Sequence, residues 1–168
     1  EPLYNAYVGN FRATQGIDFP GMITDAIRCV RRGAYRHPYK YVLIDEYQDM
    51  SRPRYELIRA LREQSDFTLF CVGDDWQSIY RFAGSDIHLI LDFADIWRDW
   101  GPTRMFQITT TRRFRQSLID ASGAFVMQDK SLYAKQLRNP SDKKDYSLKA
   151  LGGATQEERF DAIVEQLR

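Results

Sequence analysis

The sequence predicts an α/β domain with a parallel sheet, because two short apolar runs alternate with segments of helical periodicity. The first run is Tyr41–Ile44 and the second covers residues 67–72. Short continuous apolar runs are typical of strands that are buried on both faces, as in a parallel sheet. Carboxylates follow the first run directly and the second after one glycine, and ligands of open α/β sheets bind beyond the carboxyl ends of the strands. We therefore expect the functional site at this edge of the sheet.

The rest of the chain is read from helical periodicity and from start and stop signals. Helices are predicted over residues 3–12, 18–33, 51–63, 88–97, 117–127 and 155–167. The last begins with Thr155 followed three residues later by Glu158, which is a capping-box pattern. Further strands are predicted over residues 105–108 and 146–151, with a hinge at 109–111. The second strand–helix unit indicates a second domain, so we divide the chain into residues 1–110 and 111–168.

Composition limits the class of protein. With 168 residues and 43% apolar content, the chain is long enough for an ordinary domain with a core. It has no stretch of the length that crosses a membrane and no signal peptide at its start, so we expect an intracellular protein with no membrane partner. A net charge of +1 gives no bulk signal for nucleic acid. Cys29 and Cys71 lie in apolar patterns and are expected as buried free thiols.

Two adjacent carboxylates, Asp45 and Glu46, follow the first predicted strand. Burying them is costly unless something compensates their charge, and a bound Mg²⁺ would do so. Asp45 would hold the metal, directly or through water. Glu46, pointing to the other face of the strand, could take a proton from an attacking water. This is the Walker B half of a phosphate-hydrolysing site; the alternative is a strand that ends in solvated acids.

The second strand leads into the stretch VGDDWQSIYRFAGSD. Gln77 lies a few residues beyond the strand end, and its amide can donate to a phosphate oxygen and accept from a water. Its alternative role is to order the loop. Tyr80 and Phe82 flank an arginine and could stack on nucleic-acid bases, or they could fill the core beneath the loop.

The stretch TTTRRFRQS follows the predicted strand over residues 105–108. An arginine just past the hinge could reach across a cleft and neutralise charge in the transition state. The alternatives are a cationic cap or a contact with a phosphate backbone.

DEYQD, GDDWQSIYRFAGSD and TRRF, in this order and spacing, resemble the superfamily 1 DNA helicases of the UvrD/Rep type. The resemblance covers most of the chain and is densest from Tyr41 to Gln128. It implies a RecA-like P-loop NTPase motor domain, incomplete here, with the start of a second RecA-like domain. It also implies ATP and Mg²⁺ as cofactors, single-stranded DNA and duplex junctions as partners, and 3′-to-5′ translocation. A bacterial, cytoplasmic, nucleoid-associated location follows from the same resemblance.

The resemblance implies a role for each matching residue of the predicted ATP site. Asp45 would be the Mg²⁺ carboxylate, Glu46 the catalytic base and Gln77 the sensor of the γ-phosphate. Arg113 would be the arginine finger. Arg112 occupies the position where the family has a tyrosine that stacks on adenine, and a guanidinium can also stack on a base.

On the DNA side, the resemblance places Phe82 where the family has an aromatic that stacks on single-stranded DNA, with Tyr80 beside it. The phosphate-cradling loop GxxxxGK[ST] does not occur in the 168 residues. We therefore expect an internal piece of a motor, with that loop upstream and the last motifs downstream, and negligible ATP hydrolysis by the piece alone. The alternative is a truncated, non-catalytic module that binds nucleic acid or a partner. A P-loop ATPase that does not act on nucleic acid is disfavoured by QSIYRFAG.

Overall fold

The computed structural model describes residues 1–14, 16–141 and 153–167. The chain divides into two compact units, Glu1–Arg104 and Met105–Arg168, and each is described by itself. The division into two motor domains after residue 110 stays a prediction, because compactness does not say what each unit does.

Helices and strands of the described residues follow the predicted order closely. In the first unit they are α1 (Pro2–Ala13), α2 (Phe19–Arg31), β1 (Tyr41–Ile44), α3 (Arg52–Gln64), β2 (Thr68–Cys71), α4 (His88–Leu91) and α5 (Phe93–Ile96). The second unit contains α6 (Gln116–Val126) and α7 (Gln156–Leu167). The single helix expected over residues 88–97 is instead two short ones, because the backbone of Asp92 leaves the helical region between them.

Local hydrogen bonds explain where two of the helices begin. At α2, the Asp18 carboxylate accepts the backbone N–H of Gly21 at 2.7 Å, which satisfies one of the free donors of the first turn. At α7, Glu158 N–H donates to Thr155 Oγ1 at 3.2 Å and Thr155 N–H donates to Glu158 Oε2 at 3.3 Å. The capping box predicted from the sequence is therefore confirmed.

The sheet of the first unit consists of β1 and β2, which pair in parallel from Tyr41 opposite Thr68 to Ile44 opposite Cys71. This small parallel sheet confirms the α/β class. Burial alternates along both strands. Leu43, for example, is 72% exposed, so the expectation that both faces are buried is wrong. The reason is that nothing in the described part of the chain covers that face.

The core of the first unit lies on the other face of the sheet and is rich in aromatic side chains. Its buried members are Tyr47, Met50, Tyr55, Ile58, Phe67, Leu89 and Trp97. Within it, Trp97 Nε1 donates to the hydroxyl of Tyr47 at 3.0 Å. Burial raises the pKa of Tyr47, which keeps this hydroxyl protonated. The core therefore holds the backbone directly after Glu46 in place.

The strand predicted over residues 105–108 is not formed, and the side chains of Phe106 and Ile108 are exposed. A strand needs a neighbour for its backbone N–H and C=O groups. In the described part of the second unit, Thr110 finds such a neighbour only as an isolated parallel bridge with Arg138. The possible strand over residues 146–151 lies outside the described residues.

The remaining expectations concern thiols and membranes. Both cysteines are free, but Cys29 is exposed, so the expectation that it is buried is wrong. Cys71 is half-buried, and burial raises its pKa to about 12. Among the described helices, none is both long and apolar enough to cross a membrane.

Candidate active site

The turn that follows β1 carries the two predicted carboxylates. β1 ends at Ile44, and a short 3₁₀ turn begins at Tyr47, whose N–H donates to the carbonyl of Val72 at 2.8 Å. Between them, Glu46 adopts a left-handed conformation with φ 50° and ψ 44°. Apart from glycines, no other described residue has a positive φ. Such a conformation costs roughly 1–3 kcal/mol and persists only where the surroundings enforce it, often at functional sites.

The alternation of side chains along a strand, from which Glu46 was predicted to point away from Asp45, does not apply to these two residues. The reason is that β1 has already ended and Glu46 is left-handed. Asp45 Oδ1 accepts the N–H of Glu46 at 2.9 Å. Glu46 Oε2 accepts a hydrogen bond from Gln48 Nε2 at 2.7 Å. Both carboxylates are exposed, so a ligand can reach them.

The loop after β2 carries Gln77 beside this turn. Gln77 lies in a 3₁₀ turn, and its Nε2 donates to Asp74 Oδ2 at 2.6 Å. The N–H of Asp74 donates to Gln48 Oε1 at 2.9 Å. The structure therefore connects Glu46 to Gln77 through the side chain of Gln48 and through Asp74, which takes part with its backbone N–H and with its carboxylate.

The donor set of the turn fits a magnesium ion that arrives with a nucleotide. Within residues 1–14, 16–141 and 153–167, no group of three or more His, Cys, Asp or Glu side chains could hold a metal. Mg²⁺ at nucleotide sites usually takes one or two carboxylates, with phosphates and waters completing its shell. Asp45, exposed at the strand end, can supply such a carboxylate. Asp49 Oδ1, in the same turn, is buried without a partner in the described residues.

Two aromatic side chains project from the loop that continues beyond Gln77. Phe82 is 86% exposed, and Tyr80 beside it is also exposed, with ring centroids 5.9 Å apart. The end of the loop is fixed to the first turn, because Asp86 N–H donates to the carbonyl of Met50 at 2.9 Å. Phe82 therefore does not fill the core. Whether it contacts DNA stays a prediction.

The predicted arginines lie in the second unit, whereas all the other predicted site residues lie in the first. Arg112 and Arg113 are both exposed, and the N–H of Arg113 donates to Thr111 Oγ1 at 3.3 Å. Their side chains are therefore free to contact a ligand. Their assignment to ATP stays a prediction.

Sequence reasoning missed Gln48 and Asp74, which connect the two halves of the site. A signal was present for Gln48, since it lies between Tyr47 and Met50 in a segment that otherwise enters the core. Buried polar groups are nearly always hydrogen-bonded, so an amide at this position had to have partners. Asp74 gave no comparable signal, because a carboxylate after a strand is common.

The chain was compared with known proteins. The family model of the UvrD/REP helicase N-terminal domain matches residues 1–96. The chain is 36% identical to DNA helicase IV of Escherichia coli (strain K12), over 99% of the chain and 23% of that helicase. It is 34% identical to the putative ATP-dependent DNA helicase YjcD of Bacillus subtilis (strain 168), over 64% of the chain and 14% of that protein. It is 31% identical to the ATP-dependent DNA helicase UvrD1 of Mycobacterium tuberculosis (strain ATCC 25618 / H37Rv), over 80% of the chain and 18% of the helicase.

The chain thus spans less than a quarter of the length of each of these relatives. The match to the family model covers 96 of the 168 residues, including the turn after β1 and the loop after β2. On this evidence the chain belongs to the UvrD/REP helicase family.

Proposed function

We propose that this chain is part of an ATP-dependent DNA helicase that couples ATP hydrolysis to 3′-to-5′ translocation on single-stranded DNA and to unwinding at duplex junctions. One observation carries the proposal: DEYQD and GDDWQ lie side by side at the carboxyl ends of adjacent parallel strands. Residues 1–110 would belong to a first RecA-like motor domain, and residues 111–168 to the hinge and the start of a second. Its place would be the bacterial cytoplasm, at the nucleoid, where the DNA is.

In this proposal, the first unit carries the groups that act on the phosphates. Asp45 holds Mg²⁺, directly or through water. The metal, when bound, neutralises charge on the phosphate oxygens. Glu46 accepts a proton from the attacking water. Gln77 can donate to a γ-phosphate oxygen through its amide while its carbonyl oxygen accepts from the water.

The remaining roles belong to two arginines of the second unit and to two aromatic residues of the exposed loop. Arg113 supplies positive charge to the transition state, and Arg112 stacks its guanidinium on the adenine. Phe82 and Tyr80 provide faces on which DNA bases stack. The support for this last role is their exposure on a loop that is fixed at both ends to the turn bearing Glu46.

Steady-state ATP hydrolysis, with and without single-stranded DNA, tests the proposal. We expect the full-length gene product that contains these residues to show DNA-stimulated turnover. We expect negligible turnover from the 168-residue chain, because its sequence lacks the GxxxxGK[ST] loop that holds the β- and γ-phosphates. A full-length product that never hydrolyses ATP contradicts the helicase proposal and supports a non-catalytic binding module. Robust turnover by the 168-residue chain contradicts the need for that loop.

Phe82→Ala in the full-length gene product should weaken binding to single-stranded DNA by about 1–3 kcal/mol, the contribution of one stacked base. The fold should be unaffected, because the side chain is exposed. Phe19→Ala is a matched control, since Phe19 is 84% exposed on the same unit. Fluorescence anisotropy of a labelled oligonucleotide measures both affinities. Equal affinities for the two variants would show that Phe82 does not stack on DNA.

A further inference from the structure

Gln48 is a buried side chain to which the proposed mechanism assigns no role. It is 2% exposed, belongs to the turn after β1, and contacts the loop after β2 through its side chain. Both ends of its amide are used: Nε2 donates to Glu46 Oε2 at 2.7 Å, and Oε1 accepts the N–H of Asp74 at 2.9 Å. A carboxylate can only accept and a backbone N–H can only donate, so these partners fix the orientation of the amide.

Both hydrogen bonds lead to side chains of the site. On one side is the carboxylate of Glu46. On the other, Asp74 is held by its backbone, and its own carboxylate accepts Gln77 Nε2 at 2.6 Å. A continuous series of three hydrogen bonds therefore runs from Glu46 through Gln48 and Asp74 to Gln77.

Two backbone features next to Gln48 leave room for its side chain: the glycine at position 73 and the left-handed conformation of Glu46. A Cβ atom on Gly73 would lie 2.9 Å from Gln48 Oε1, 3.0 Å from Ile90 Cδ1 and 3.1 Å from the backbone N of Gln48. These distances are shorter than ordinary contacts, so a side chain at position 73 would press on the amide and also on Ile90 and the backbone of the turn. On the other side, the left-handed backbone of Glu46 is the state in which its carboxylate meets Gln48 Nε2. Both constraints act on the same amide.

We propose that Gln48 is a positioning residue that sets the location of the Glu46 carboxylate and links it to the Asp74–Gln77 turn. The inference rests on the proposed function, in which Glu46 is the base and Gln77 contacts the γ-phosphate. A movement of Gln77 onto a phosphate is transmitted through Asp74 and Gln48 to the base. Hydrolysis and γ-phosphate sensing thus share one hydrogen-bonded unit.

A double-mutant cycle on the full-length gene product tests whether Gln48 acts through Glu46. Gln48→Met keeps the length and bulk of the side chain but removes both hydrogen bonds. We expect kcat to fall by about tenfold or more, because small misplacements of a catalytic group have effects of this size. The KM for ATP should stay within about twofold. In the Glu46→Gln background, the same substitution should change the residual kcat by less than about twofold, since residues that act as a unit are non-additive.

Gly73→Ala presses on the same amide, and also on Ile90 and the backbone of the turn, so it is a less selective second variant that should lower kcat in the same way. For every variant the folded fraction is measured from its thermal transition, and kcat is expressed per folded molecule, so that a loss of folding is not counted as a loss of catalysis. Gln64→Met is the matched control. Gln64 is likewise hydrogen-bonded at both ends of its amide, but only to backbone groups: it donates to the carbonyls of Val30 and Tyr35 and accepts the N–H of His37. This variant should lower the melting temperature and leave kcat unchanged.

Three results would contradict the inference, and each would identify a different error in it. If the losses from Gln48→Met and Glu46→Gln are additive, Gln48 acts on folding or on another group. If Gln48→Met leaves kcat unchanged in an active enzyme, the hydrogen bonds have no role in positioning. If the wild-type full-length product does not hydrolyse ATP at all, the proposed function is wrong, and this inference, which depends on it, is wrong as well.

Discussion

Replacing Arg113 with alanine in the full-length gene product should lower kcat for ATP hydrolysis by about 10³–10⁵-fold, the contribution of an arginine finger. The physical reason is that charge spreads over the γ-phosphoryl oxygens in the transition state, and the guanidinium neutralises it there. Stability should change little, because Arg113 is exposed. Single-turnover hydrolysis at saturating ATP and DNA measures the effect.

Arg115→Ala is the control for Arg113→Ala, since it removes the same charge from an exposed side chain two residues away. It should leave kcat essentially unchanged, because the proposal gives this exposed side chain no part in the reaction. The alternative is that Arg113 contacts a DNA phosphate. In that case Arg113→Ala would weaken DNA binding and leave kcat at saturating DNA unchanged.

Glu46→Gln should reduce hydrolysis by about 10²–10⁴-fold while Mg²⁺ and ATP still bind, because it removes the proposed general base and little else. The glutamine carbonyl can still accept the hydrogen bond from Gln48 Nε2, which now comes from Glu46 Oε2. Nucleotide affinity and turnover are measured separately. Glu56→Gln makes the same chemical change on the exposed surface of α3 and should have no effect on turnover. Near-normal turnover by Glu46→Gln would show that Glu46 is not the base.

The sequence was sufficient to place Asp45, Glu46 and Gln77 at one edge of a parallel sheet. Two apolar runs of strand length, each followed by carboxylates, carry that information, because parallel strands end at the same edge. β1 and β2 confirm the pairing on which the placement depends. The starts of α2 and α7 were equally accessible, since Asp18 and Thr155 cap these helices through local hydrogen bonds.

The geometry of the turn after β1 could not be predicted in the same way. Strand alternation does not apply to Glu46, because β1 ends before it and its backbone is left-handed. The turn is held from β2 and the loop after it, where the carbonyl of Val72 accepts the N–H of Tyr47 and the N–H of Asp74 donates to Gln48 Oε1. Those partners are about 26 residues away in the chain, and periodicity carries no information about them. The partners of Gln48 could not be predicted for the same reason, although its place in a segment that enters the core indicated that it had some.

The prediction of a strand over residues 105–108 was wrong, because composition does not say which neighbouring strand a segment will pair with. Its apolar side chains are typical of a strand, yet among the described residues no neighbouring strand pairs with its backbone. The same limit explains Leu43, whose apolar character predicted burial although it is exposed. An apolar run indicates that burying its side chains would be favourable, but whether they are buried depends on another element packing against them.

The dependence of ATP turnover on Mg²⁺ concentration, measured for Asp45→Asn in the full-length gene product, tests the central claim that the turn after β1 holds the metal–nucleotide. Asparagine keeps the size of the side chain and can still accept the N–H of Glu46, which now bonds Asp45 Oδ1. It removes the negative charge that Mg²⁺ prefers in its ligands. We predict that half-maximal turnover requires a clearly higher Mg²⁺ concentration in Asp45→Asn, whereas Glu46→Gln keeps the wild-type requirement. An unchanged Mg²⁺ requirement in Asp45→Asn would contradict the claim.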